Sequence, residues 1–148
     1  MIHLLYVDEE PTNLENVRYI LEKTGDFKVD TLTTAMGALE RISTASYDAV
    51  ISEYELTGIG GIRFLQEIRA VYENLPFIFM IRNGDEKTIR EGLNRGADAF
   101  ITKENGLDSD SMVLESMIRE AIRQRTAPER DGLCITSKYI RNLAYTCN

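Results

Sequence analysis

Three acidic residues stand in a row at Asp8, Glu9 and Glu10, directly after a short apolar run; Glu53 and Glu55 follow a second such run, and Lys103 closes a third. Brought together, Asp8, Glu9 and Glu53 set three carboxylates against the one ammonium of Lys103. The surplus negative charge suits one divalent cation with hard oxygen ligands, such as Mg²⁺. The simpler role of Asp8 to Glu10 is favourable charge at the start of a helix. Other chemistries lack their reagents. His3 is the only histidine, and Cys134 and Cys147 are the only cysteines, so Ser-His-Asp, Cys-His and zinc sites are excluded. No Gly-x-Gly-x-x-Gly follows the first apolar run, and Gly58-Ile59-Gly60-Gly61 comes too late to serve as a dinucleotide loop.

The elements that must position these residues are read from periodicity. Ile2–Val7 is a strand, and Pro11 opens a helix with Leu14, Val17, Ile20 and Leu21 on one face and Gly25 at its end. Lys28–Leu32 is a weaker strand, and Thr34 caps a helix expected to carry Met36, Leu39 and Ile42 inward. The strand Ala49–Ser52 leads to a loop over Leu56–Gly61, then to a helix with Ile62, Leu65 and Ile68 that runs to about Glu73. Pro76 separates that helix from the strand Phe77–Met80, and Asn83-Gly84 is a turn. A helix with Ile89 and Leu93 closes at Gly96, the strand Ala99–Thr102 follows, and Leu114, Ile118, Ala121 and Ile122 mark a last helix. Such alternation predicts an α/β fold, a doubly wound (βα)5 parallel sheet with helices on both faces and strand order 2-1-3-4-5. Ligands in that architecture bind beyond the carboxyl ends of the strands, where the acids and Lys103 fall.

The 148 residues are 43% hydrophobic and 28% charged, enough for one buried core and too apolar for disorder. Twenty-four acids against seventeen bases give a net charge of −7, the wrong sign for a nucleic-acid partner. No apolar run approaches a membrane span and the first residues do not read as a signal peptide, so a cytoplasmic location is expected.

The segments Leu4-Leu5-Tyr6-Val7-Asp8-Glu9, Tyr47-Asp48-Ala49-Val50-Ile51-Ser52-Glu53, Gly58 to Gly61 and Gly96-Ala97-Asp98-Ala99-Phe100-Ile101-Thr102-Lys103 resemble the receiver domain of two-component response regulators. The resemblance covers residues 1–125 and implies a flavodoxin-like fold. It further implies a module that takes a phosphoryl group from a histidine kinase and turns over no external substrate. By that resemblance Asp8, Glu9 and the main-chain carbonyl of Glu55 match the Mg²⁺ ligands, with Glu53 beside them at the phosphoacceptor position. Lys103 matches the lysine that contacts the phosphoryl group, and Phe100 the aromatic switch that turns inward on activation. The implied partner is a histidine kinase or an effector protein at the face built from the fourth and fifth helices and the strand between them, with a homodimer as a further expectation.

Three positions depart from the family's chemistry together. Glu53 stands where the phosphoacceptor is aspartate, Ile81 where the fourth strand ends in a switch threonine or serine, and Arg82 where a small residue leaves the pocket open. One extra methylene moves the carboxylate by roughly 1.5 Å, large against the positioning that in-line transfer requires. Arg82 either reaches the acids as a tethered cation or points into solvent. Thr57, Gly60 and Glu104 also differ from the family loop residues.

Three functions follow from these residues: a phosphorylation-independent pseudo-receiver that acts through protein contacts, a working Mg²⁺-dependent phosphoacceptor, or a doubly wound domain that binds a small molecule. Residues 126–148 read as a linker, with a short helix over Lys138–Tyr145 or the stub of a following domain.

Overall fold

The computed structural model describes residues 1–102, 111–126 and 144–146. Strands β1 (Ile2–Val7), β2 (Phe27–Leu32), β3 (Ala49–Glu53), β4 (Phe77–Ile81) and β5 (Ala99–Thr102) alternate with helices α1 (Pro11–Glu22), α2 (Ala35–Thr44), α3 (Gly60–Val71), α4 (Glu86–Asn94) and α5 (Ser111–Thr126). The five strands are parallel in the order β2-β1-β3-β4-β5, as the alternation predicts. A sixth strand, β6 (Ala144–Thr146), lies antiparallel on the outer edge of β5. The short helix expected over Lys138–Tyr145 is thereby corrected at its end, because Ala144 and Tyr145 satisfy their backbone groups in the sheet; residues 138–143 lie outside those described.

Because side chains alternate across a strand, the sheet is apolar on both faces. Leu4, Tyr6, Ile51, Met80 and Ile101 face α1 and α5, meeting Leu14, Val17, Leu21, Leu114 and Ile118. Leu5, Val7, Val50, Phe77, Phe79, Ile81 and Phe100 face the other way, toward Ala35, Ile42, Phe64, Leu65, Ile68 and Ile89. One expected inward residue is misplaced: Met36 is 64% exposed, and α2 packs through Ala35, Ala38 and Ile42. Two small alanines allow close helix–sheet approach, which rotates the helix and turns the bulkier methionine to solvent.

The amino-terminal edge of the sheet is held by a buried ionic cluster. Asp98, 7% exposed, accepts from the Phe77 amide (2.8 Å), from Arg69 (3.2 Å) and from Arg125 Nε (2.7 Å). Both guanidiniums also donate to the Gly96 carbonyl, and Arg69 reaches the Leu75 carbonyl at 2.6 Å. Burial pushes the Asp98 carboxyl up, against the pull of the two cations. One carboxylate therefore joins α3, β4, β5 and the last turn of α5. Asp98→Ala leaves two half-buried guanidiniums without their partner and is expected to lower stability by about 3–5 kcal/mol, read as a shift in the urea unfolding midpoint at unchanged slope.

Candidate acidic pocket at the carboxyl edge of the sheet

Parallel register sets the strand ends level. Val7 pairs with Ser52, Glu53 with Met80 and Ile81 with Thr102, so the residues that end or follow these strands form one rim. Asp8, just beyond β1, is 2% exposed. Its Oδ2 accepts from the Tyr6 hydroxyl at 2.7 Å and its Oδ1 from the Glu10 amide at 3.0 Å. Tyr6 is itself fully buried, and its phenol is pushed above the ordinary tyrosine range by burial and then by the charge of Asp8, with a further contribution from Glu53. The Tyr6 hydroxyl thus lies in the joint field of both acids and remains a donor. Neither Tyr6 nor its role was evident among the charged residues, yet the spacing carried a signal: residues i and i+2 of an extended segment share a face.

Glu9 points across the rim. Its Oε1 accepts from the Thr57 amide, which ties the β1–α1 turn to the β3–α3 loop. Glu53 ends β3 and is half-buried, and Glu55 is exposed two residues further on. The loop after them folds tightly: a Cβ at Gly61 would lie 2.4 Å from the Tyr54 carbonyl oxygen, an approach only glycine permits.

The β4–β5 side of the rim is apolar. Ile81 is 1% exposed and packs with the core of the α3–α4 face, with Gly84 close against its methyl groups. Its register neighbour Thr102 is buried, and the Thr102 hydroxyl has no hydrogen-bond partner among the described residues. Arg82 is exposed and makes no ion pair with any described residue, so of the two orientations expected for it the structure has the solvent-facing one. Phe100 is fully buried between Phe79 (ring centroids 5.1 Å) and Tyr54 (5.9 Å). A Cβ on Gly92 would fall 2.4 Å from the tip of that ring, so the glycine in α4 is what makes room for the inward position. Lys103 and Glu104 lie outside the described residues.

The arrangement brings Asp8 and Glu53 within electrostatic reach of one hydroxyl and holds Glu9 against a backbone amide. A divalent cation needs several oxygen ligands converging on one point. Among the described residues no three His, Cys, Asp or Glu side chains gather in that way. Asp8 and Glu9 accept from protein O–H and N–H groups, and each carboxylate keeps further lone pairs toward the rim.

Comparison with known proteins agrees with the fold and the order of these motifs. Response regulator Rre1 of Synechocystis sp. is 34% identical over 133 residues, covering 88% of this chain and 56% of that protein. The transcriptional regulatory protein FixJ of Bradyrhizobium diazoefficiens is 26% identical over 119 residues, covering 80% of this chain and 58% of that protein. The chain therefore spans little more than half the length of these relatives. A receiver domain from Clostridium thermocellum superimposes with a TM-score of 0.75 at 23% identity, covering 84% of this chain and 97% of its own. A two-component response regulator from Clostridium difficile gives 0.75 at 22% identity, covering 86% and 100%. Residues 4–114 match the response regulator receiver domain, and the chain belongs to that family of two-component signalling modules.

Proposed function

We propose that this receiver domain is a pseudo-receiver, whose signalling state is set by its sequence and its protein contacts instead of by phosphoryl transfer. Receiver domains work with histidine kinases and effector domains and generally bind Mg²⁺ at their acidic pocket. The observation that carries the proposal is glutamate at position 53, where the longer side chain displaces the accepting oxygen by roughly 1.5 Å from the place that in-line attack requires. Three further features support it. Ile81 offers no hydroxyl to a phosphoryl oxygen, the carboxylates of Asp8 and Glu9 are held by protein donors, and Phe100 already occupies the inward position. Glu53 supplies about one negative charge where a phosphoaspartate carries about −1.5 to −2, a partial and permanent imitation.

On this reading the partner is a histidine kinase or an effector protein that engages α4, β5 and α5 in the cytoplasm, and the chain turns over no external substrate. No described helix is long and apolar enough to cross a membrane. The contribution of this chain's residues is positional. Tyr6 fixes the Asp8 carboxylate, Glu9 fixes the β3–α3 loop through Thr57, and Gly92 admits the Phe100 ring.

The test is an amide NMR titration with Mg²⁺ and then beryllofluoride, paired with intact-mass measurement after incubation with a small-molecule phosphodonor. No mass gain and no displacement of the Glu9, Glu53 and Phe100 amides is the expected result; a phosphorylated species, or shifts spreading to Phe100, overturns the proposal. Glu53→Asp is expected to regain phosphoryl uptake with shifts confined to the pocket, and Glu53→Asp with Ile81→Thr to extend them to Phe100. Tyr6→Phe removes the hydroxyl donor from a buried carboxylate and is expected to cost about 1–3 kcal/mol of stability in urea unfolding near neutral pH.

A further inference from the structure

Glu53 and Tyr54 are consecutive, and in extended chain consecutive side chains leave by opposite faces. Glu53 goes to the side of Tyr6 and adds to the field at its hydroxyl. Tyr54 goes to the other side and packs with the core of the α3–α4 face. Its amide donates to the Met80 carbonyl at 2.8 Å, which carries the β3–β4 ladder past the end of β3 and fixes where the side chain starts. The close approach of Gly61 to the Tyr54 carbonyl holds the same residue from the loop.

Among the described residues two rings touch Phe100, and they differ in kind. Phe79 lies within β4 and is fully buried. Tyr54 stands in the loop between β3 and α3, is only partly buried, and meets both Phe79 (ring centroids 5.3 Å, edge to face) and Phe100 (5.9 Å). Such ring pairs attract beyond the area they bury. The Tyr54 phenol is pushed above the ordinary tyrosine range by burial and then by the charge of Glu91, so its tip lies toward α4. On its other side the ring borders an open cleft lined also by Leu56, Ile59 and Ile62. Gly92 gives Phe100 space but no side chain to hold it. Tyr54 is therefore the ring contact of Phe100 that has room to move.

We propose that Tyr54 is the positioning residue that keeps Phe100 inward, a ring latch placed one residue after the phosphoacceptor position. The latch deepens the reading of the module as a pseudo-receiver and rests on it for its meaning: where no phosphoryl group sets the switch, a neighbouring ring does. The two stand on different observables. Phosphate uptake at Glu53 overturns that reading, whereas the latch is judged by where the Phe100 ring lies with and without Tyr54.

The experiment uses the full chain with isotope-labelled phenylalanine rings. Nuclear Overhauser contacts of the Phe100 ring are read together with amide hydrogen exchange over α4. The parent is expected to show one ring position, in contact with Tyr54 and Gly92. Gly92→Ala, whose Cβ would lie 2.4 Å from the ring tip, supplies the signature of a displaced ring. Tyr54→Ala is expected to move the Phe100 signals toward that signature and to speed exchange over α4 at least about tenfold. Tyr54→Phe is expected to keep the parent's contacts and exchange, since the ring and not the hydroxyl does the holding. Protection at β1 reports that each variant is folded, and Tyr54→Leu, which keeps apolar volume without a ring, gives the same direction of change where the alanine variant unfolds. A Phe100 ring that stays in place in folded Tyr54→Ala or Tyr54→Leu, a Tyr54→Phe variant that loses it, or a parent whose ring already exchanges between positions overturns the proposal.

Discussion

In a parallel sheet the hydrogen-bond register holds neighbouring strand ends level while side chains alternate between faces. That constraint governs everything at the acidic edge. It puts Asp8 beside the end of β3, and it puts Tyr6 and Asp8 on the α1–α5 face so that hydroxyl meets carboxylate. The same parity sends Ile81, Phe100 and Thr102 to the opposite face, where rings and methyl groups fill the space behind the rim. The acids and the apolar switch side thus lie on two faces of one sheet.

The charged side of the rim is quieted by donors instead of by neutral packing. Asp8 accepts an O–H and an N–H, and Glu9 accepts an N–H across the loop. A buried carboxylate without such partners is costly, and with them it becomes a fixed piece of architecture. The β4–β5 side shows the complementary case. Thr102 keeps a buried hydroxyl beside Ile81 with no partner among the described residues.

The strands, their order and the acidic rim were legible in the sequence because apolar runs of four to six residues and the acids after them lie close together along the chain. What escaped was decided by packing. Met36 carries the right periodicity but loses its inward place to Ala35 and Ala38, whose size sets the approach of α2. The Asp98 cluster draws on residues from α3, β4, β5 and α5, too far apart in sequence for any local pattern to announce. Arg82 could be read either as a tethered cation or as a solvated side chain, and only coordinates decide such a choice. The tail reads as a helix by local apolar spacing, whereas Ala144–Thr146 is recruited by a sheet edge that no local signal reveals.

The clamp at Asp98 also makes the molecule mechanically lopsided. Arg125 fastens the carboxyl end of α5 to the amino-terminal edge of the sheet, while the helix begins at Ser111 near the acidic rim, roughly 21 Å away along its axis. Leu114, Met117 and Ile118 are buried against the sheet as well, so the helix is held by apolar contacts along its length and by charge at its carboxyl end.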